Sequence, residues 1–400
     1  MKIIYILDVF PKLSETFVLN EIVQLIRNGH NLHIFSVSLP TEELVHHEFS
    51  ALNLNNKVHY YKKNNLQNVT KRRLFKYFAK GVVRDLLDFN VHRNIANVNL
   101  KIAYFSVLSE DIDVDIIHTH FRGDLARKLA FCTNRKYTMT SHAFEIYSNP
   151  RLKDIKRAIF DANKVFTPSN YNKRYLSEIT GCRESKIKVI HATIDPDKFT
   201  RKADTNNTSK QIIMAGRLVE KKGMKYMILA MKDILSKHPE ALLKVIGEGP
   251  LKSELMDLVR ENNLTNNVVF RGSLPDDEYY NELENSIIAV LPCIITETGD
   301  RDVCPLTLQE AMSMELPVVS TNVHSIPELI DHKVSGILVN PNSEKEIARA
   351  VIELLDNTQL REKLGKGGRR KIIHEFNIKC QVENQTREWI NIYSDKKEFL

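Results

Sequence analysis

The chain has 400 residues, of which 42% are hydrophobic and 27% charged, with a formal net charge of +7. That length suits two domains with cores of their own, and the composition excludes wholesale disorder. Mild basicity permits an anionic partner but is too weak to mark a dedicated nucleic-acid binder, so no nucleic acid is expected.

Short β-branched runs fall at residues 2–7, 31–37, 57–61, 114–118, 136–140, 164–167 and 188–191. The second half repeats the rhythm at 211–215, 242–246, 268–271, 287–291, 317–320 and 336–339. Helical patterns separate most of them, for example at 15–28, 251–262 and 306–314. This alternation predicts an α/β fold of βαβ units with parallel sheets. Runs such as Ile3 to Leu7 are apolar on both faces, as strands covered by helices on both sides require. The stretch 201–210 is polar and aperiodic, and a new strand follows it. It divides the chain into domains 1–203 and 204–375, with a last helix candidate over 376–400.

Cys132, Cys182, Cys293, Cys304 and Cys380 are scattered and form no CxxC pair. They suggest neither a disulfide framework nor a zinc site, and the expected compartment is the cytoplasm. Met1 to Leu7 is too short an apolar start for a signal peptide, and no apolar stretch reaches bilayer length. Charge is uneven, at +10 over residues 1–200 and −3 over 201–400. Residues 57–84 hold nine basic and no acidic side chains. Within them, KRRLFKYFAKGVVR is either an amphipathic helix for an anionic membrane surface or an ordinary surface helix packed on the core.

Two loops carry the strongest chemical signals. Gly216-Arg217-Leu218-Val219-Glu220-Lys221-Lys222-Gly223 follows a strand and precedes a helix, which places it at a ligand-binding sheet edge. Arg217 and Lys222 suit a diphosphate, although a charged surface loop has the same composition. In Asp302-Val303-Cys304-Pro305-Leu306-Thr307-Leu308-Gln309-Glu310, Pro305 fits the first turn of a helix. The free amides there, at Leu306 and Thr307, can hold an anion. On one helix, Asp302 and Glu310 would stand about 12 Å apart, too far for a hydrolytic pair and suited to two ends of one elongated ligand.

Other motifs are weaker. Gly247-Glu248-Gly249-Pro250 lacks the third glycine of a dinucleotide fingerprint and reads as a tight turn. His118 and His120 share one strand face, but no carboxylate or third histidine completes a metal motif, so no metal is expected. His142 follows a strand and so sits at a cleft edge. Ser14 and Glu15 can cap a helix.

In order and spacing, FPKLSETFVLNEI, DIIHTHF, TSHAFEIY, GRLVEKKG, GEGP, PLTLQEAM and SIPELI together resemble family 4 retaining glycosyltransferases of the two-domain glycosyltransferase-B fold. The opening motif resembles the exopolysaccharide and colanic-acid branch. The resemblance implies two Rossmann-like domains facing a cleft, with the last helix crossing back to the first. It implies transfer of a hexose from a nucleotide sugar to a glycan acceptor, lipid-linked, at the inner face of the plasma membrane, without metal or cofactor. Arg217 and Lys222 would bind the pyrophosphate, Glu310 the ribose and Asp302 the transferred sugar. His142 would lie near donor phosphate and sugar, His118 would line the cleft, and the Ser14-Glu15 loop would face the phosphates. Asp302 stands where the family usually has glutamate, Glu145 where it has aspartate, and residues 301–304 replace an acidic-glycine sequence. A catalytically silent scaffold and a sugar-nucleotide epimerase are the alternatives.

Overall fold

The computed structural model describes residues 1–41, 46–88, 95–121, 123–148, 150–201 and 209–394. Most of the expected 201–210 linker, residues 202–208, lies outside them. The first sheet has seven parallel strands: β1 Lys2–Val9, β2 Asn31–Ser38, β3 Val58–Tyr60, β4 Ile116–His120, β5 Tyr137–Thr140, β6 Lys164–Thr167 and β7 Ile187–Val189. Their order is β3-β2-β1-β4-β5-β6-β7. The second has six: β8 Gln211–Ala215, β9 Leu242–Ile246, β10 Val268–Gly272, β11 Ile288–Leu291, β12 Val318–Thr321 and β13 Ile337–Val339, ordered β10-β9-β8-β11-β12-β13. Every pairing is parallel.

Both sheets reverse their winding direction once, between β1 and β4 and between β8 and β11. At such a point the two flanking loops turn apart and leave a crevice beyond the carboxyl ends of the strands. The loops after β8 and β11 therefore line one crevice. The segment 11–15 and Phe121, which follow β1 and β4, line the other.

Two apolar layers fill the space between the first sheet and its helices, one on each face. One core surrounds the second sheet. The helix Ile378–Ser394 leaves the second core and lies on the first, against the helix Thr16–Arg27. Trp389 is its anchor, fully buried with its indole N–H donating to Thr138 Oγ1 at 2.9 Å. Truncating a buried aromatic of this size costs about 3–5 kcal/mol, so this helix is firmly held.

The basic segment forms the helix Lys71–Leu87. Tyr77, Gly81 and Asp85, four residues apart, face inward. Phe75 is 72% exposed, Leu86 69% and Leu87 63%. The helix therefore packs through a narrow stripe, and much of its apolar surface points outward. No helix among the described residues is long and apolar enough to cross a membrane.

Candidate active site

The loop after β8 is shaped by glycines. Gly223 has φ +63°, and a Cβ there would lie 1.9 Å from the carbonyl oxygen of Pro292, at the end of β11. Gly247 has φ +126°, and its Cβ would meet the Gly216 carbonyl at 2.1 Å. The GEGP turn thus supports the neighbouring loop by close backbone contact, and Leu218 N–H donates to Glu248 O at 2.9 Å.

This packing fixes Lys222. Its ammonium donates to Asp302 Oδ2, with only 13% and 16% of the two side chains exposed. Burial alone would raise the Asp302 carboxyl, but Lys222, then Lys221 and Arg217, hold it below its ordinary range. Burial likewise disfavours the Lys222 ammonium, and Asp302 more than compensates. Lys221 is paired with Asp300 at 3.1 Å. Arg217 stands exposed at the mouth of the loop. The crevice therefore holds three cations and two carboxylates.

The helix Leu306–Ser313 starts directly after Pro305, four residues beyond Asp302, and its first amides have no partner within the helix. Thr307 Oγ1 is buried and makes no hydrogen bond. One turn further on, Glu310 is buried and accepts from the Tyr279 hydroxyl at 2.8 Å. Burial pushes its carboxyl up to about 7, despite that hydrogen bond.

The facing edge comes from the first sheet. His142 follows β5, and its ring packs against Phe17 and Phe121 at centroid distances of 4.6 and 4.4 Å. Glu145 reaches back to accept from the His142 backbone N–H at 2.5 Å and from Ser141 Oγ at 3.0 Å, which fixes the turn. Burial raises its carboxyl to about 7. The two domains also touch directly. Arg301 lies 4.1 Å over the Tyr147 ring and bonds His324 Nε2 at 2.8 Å. Glu328 accepts from the backbone N–H groups of Asn170 and Tyr171, both at 2.8 Å, and so caps a first-domain helix from the second domain.

The family model described as Glycosyltransferase Family 4 matches residues 14–198, and that described as Glycosyl transferases group 1 matches residues 195–371. The chain belongs to the family 4, group 1 glycosyltransferases. Among these glycosyltransferases it is 27% identical to the amylovoran biosynthesis glycosyltransferase AmsK of Erwinia amylovora, over 94% of this chain and 96% of AmsK. It is also 27% identical to the putative colanic acid biosynthesis glycosyltransferase WcaL of Escherichia coli, with the same coverage. Its fold superposes on HepE of Anabaena, solved with UDP, with a TM-score of 0.73 at 16% identity, covering 98% of this chain and 100% of that one. Sucrose-phosphate synthase of Thermosynechococcus elongatus gives a TM-score of 0.75 at 17% identity, covering 99% and 100%. These structures establish the glycosyltransferase-B architecture.

Against the expectations from the sequence, the glycosyltransferase site differs in four respects. Asp302 is not on the helix, which starts at Leu306, so the helical spacing of about 12 Å from Glu310 does not apply. Cys304 has φ +48° and breaks the path between them. His118 does not line the cleft. It has no exposed surface and is enclosed by Thr138, Thr140, Gln385 and Trp389. Ser14 and Glu15 make no side-chain cap, because the short 3-10 turn Leu13–Glu15 directs Glu15 to Lys12 at 2.5 Å instead. Finally, a carboxylate and a third histidine do join the His118–His120 pair. Glu21, His118 and His120 bring ligand-type atoms within 4.8 Å of one another, and His142 Nε2 lies 2.9 Å from His120 Nδ1.

The sequence reading missed Tyr279, Glu21 and Glu328. Only Glu21 left a signal. It sits with Val18, Ile22 and Leu25 at the i, i+3, i+4, i+7 positions of a helix face that is otherwise apolar.

Proposed function

We propose that this glycosyltransferase moves a hexose from a nucleoside-diphosphate donor, with retention of configuration and without a metal ion, onto a lipid-linked glycan in surface or exopolysaccharide synthesis. The observation that carries this reading is the Lys222–Asp302 pair at the winding reversal of the second sheet, beside the first turn of the helix that holds Glu310. A departing nucleoside diphosphate gathers negative charge. Arg217, Lys222 and the Leu306 and Thr307 amides offer fixed positive charge to it. Thr307 Oγ1 has an unused donor for the same phosphate. Asp302 keeps Lys222 ionised in the empty site and then meets the transferred sugar. Glu310 takes the ribose hydroxyls. His142 and the Ser14-Glu15 loop face the donor from the first domain. The names of the AmsK and WcaL relatives and the UDP and UDP-glucose complexes of HepE are in keeping with this substrate class.

Purified protein should bind and turn over at least one member of a panel of nucleotide sugars. Failure to bind any of them would defeat the reading. Isomerised donor formed without acceptor would indicate the epimerase, and binding without any turnover the silent scaffold.

The same reading seats the helix Lys71–Leu87 on an anionic membrane. Exposed Lys71, Arg72 and Lys76 flank the outward Phe75. Arg73 and Lys76 are already committed to Glu110, and Arg84 to Asp161. Vesicles containing anionic lipid should sediment the protein in a salt-sensitive manner. Replacing Phe75 with serine and Lys71 and Arg72 with glutamine should weaken this, and unchanged sedimentation would refute the contact.

A further inference from the structure

Below His142 lies a polar cluster that the donor site does not use. Glu21 projects from the helix Thr16–Arg27 over the seam between β1 and β4, where it is 8% exposed. Its Oε1 collects three donors: the Tyr5 hydroxyl, the Gln385 amide at 2.9 Å and His120 Nε2 at 3.2 Å. Burial opposes ionisation, but these three converging donors favour the carboxylate. An ionised carboxylate can only accept, so His120 Nε2 must carry a proton.

The consequence passes along the line. When His120 is neutral, its proton on Nε2 leaves a lone pair at Nδ1. The atom facing that lone pair, at 2.9 Å, is His142 Nε2, which must then be the donor. His142 is left with its own lone pair at Nδ1. His120 and His142 are stacked at 5.2 Å, and Phe17 and Phe121 flank His142. His118 lies beside this line, with its nitrogens engaged by Thr138 Oγ1 at 2.8 Å and Thr140 Oγ1 at 3.1 Å, and its Nε2 3.5 Å from Gln385 Nε2 and 3.7 Å from Glu21 Oε1.

We propose that Glu21 is a positioning residue which acts through His120 to hold His142 as its Nε2–H tautomer, so that His142 meets the substrate with an accepting Nδ1. This rests on the placement of His142 at the donor under Proposed function. His142 would thus accept a hydrogen bond from a sugar or acceptor hydroxyl and would not donate one. The last helix completes the device, since Gln385 supplies one of the three donors to Glu21.

The tautomers can be read without any substrate, by long-range proton–nitrogen-15 correlation spectra of the histidine rings in the intact protein at neutral pH. Both His120 and His142 should be neutral with the proton on Nε2. A proton on Nδ1 of either ring, or a tightly bound equivalent of zinc in the purified protein, would overturn the proposal. In Glu21→Leu the acceptor is gone, the Nε2–H form of His142 should lose its dominance, and kcat should fall at least about tenfold with donor KM little changed. Glu21→Gln keeps an acceptor oxygen and should restore most of both. Should Glu21→Leu fail to fold, the wild-type spectra still decide. Correct tautomers in a protein that turns over no nucleotide sugar would sink the function and leave the relay standing. Full turnover with the wrong tautomers would sink the relay alone.

Discussion

Replacing Lys222 with methionine keeps most of its volume and removes its charge. Asp302 then stays buried without its direct partner. Removing one member of a buried pair costs about 3–5 kcal/mol. The lower end applies, because Lys221 and Arg217 still act on Asp302. We therefore expect a stability loss of about 3 kcal/mol in urea unfolding. The loss should depend on pH. In the native protein Asp302 is held below its ordinary range, so it contributes stability above that range and loses it as pH falls. In the variant burial pushes the carboxyl up, so the deficit should shrink as acid protonates it. Turnover of donor should drop at least about tenfold, roughly 1.4 kcal/mol of transition-state stabilisation. The double variant Lys222→Met with Asp302→Asn should recover most of the stability but none of the turnover. A single variant as stable and as active as the native protein would refute both the pairing and its role.

Glu310 provides a second test. Its carboxyl is raised from an ordinary 4.5 to about 7, so its contribution to unliganded stability should decline as pH rises from about 4.5 to about 7. Donor affinity should move the opposite way and improve up to that range, because only the carboxylate accepts twice from ribose hydroxyls. Glu310→Gln should abolish this component of the pH dependence of donor binding, and its persistence would exclude Glu310 as the cause. Gly223→Ala should lose more than the about 1–2 kcal/mol of left-handed strain alone, given the Pro292 carbonyl in the way, as measured by urea titration. Glu328→Ala should cost about 0.5–2 kcal/mol, as loss of a helix cap does, and should speed hydrogen exchange at the Asn170 and Tyr171 amides.

Strands were legible because they are short, β-branched and bounded. Residues 164–167, 211–215 and 242–246 follow that rule without exception and match the observed β6, β8 and β9. The loops at Gly216–Gly223 and Asp302–Glu310 were legible because residue type and sheet edge agree. Partnerships across the sheet were not. Glu21 meets His120 only because β1 lies beside β4, a pairing between segments separated by more than a hundred residues. Tyr279 and Glu310, 31 residues apart in the chain, meet between two helices, a contact that local pattern does not reveal. His118 was expected at the cleft from the family resemblance alone, at the end of a strand read as 114–118. The true end is His120, two residues later, and the last helix covers what lies below.

The chain crosses between domains twice, and the crossings lie side by side. Ile194 and Asn377 form an isolated parallel bridge, with Ile378 N–H donating to Ile194 O at 3.0 Å. Two adjacent fixed strands of chain act as a door hinge does: they oppose sliding and twisting and leave one swing about the line between them. Arg301, His324 and Glu328 add side-chain contacts between the domains, through Tyr147, Tyr171 and the Asn170 amide. A swing about that line would part the domains like the pages of a book, with the Lys222 loop on one and His142 on the other.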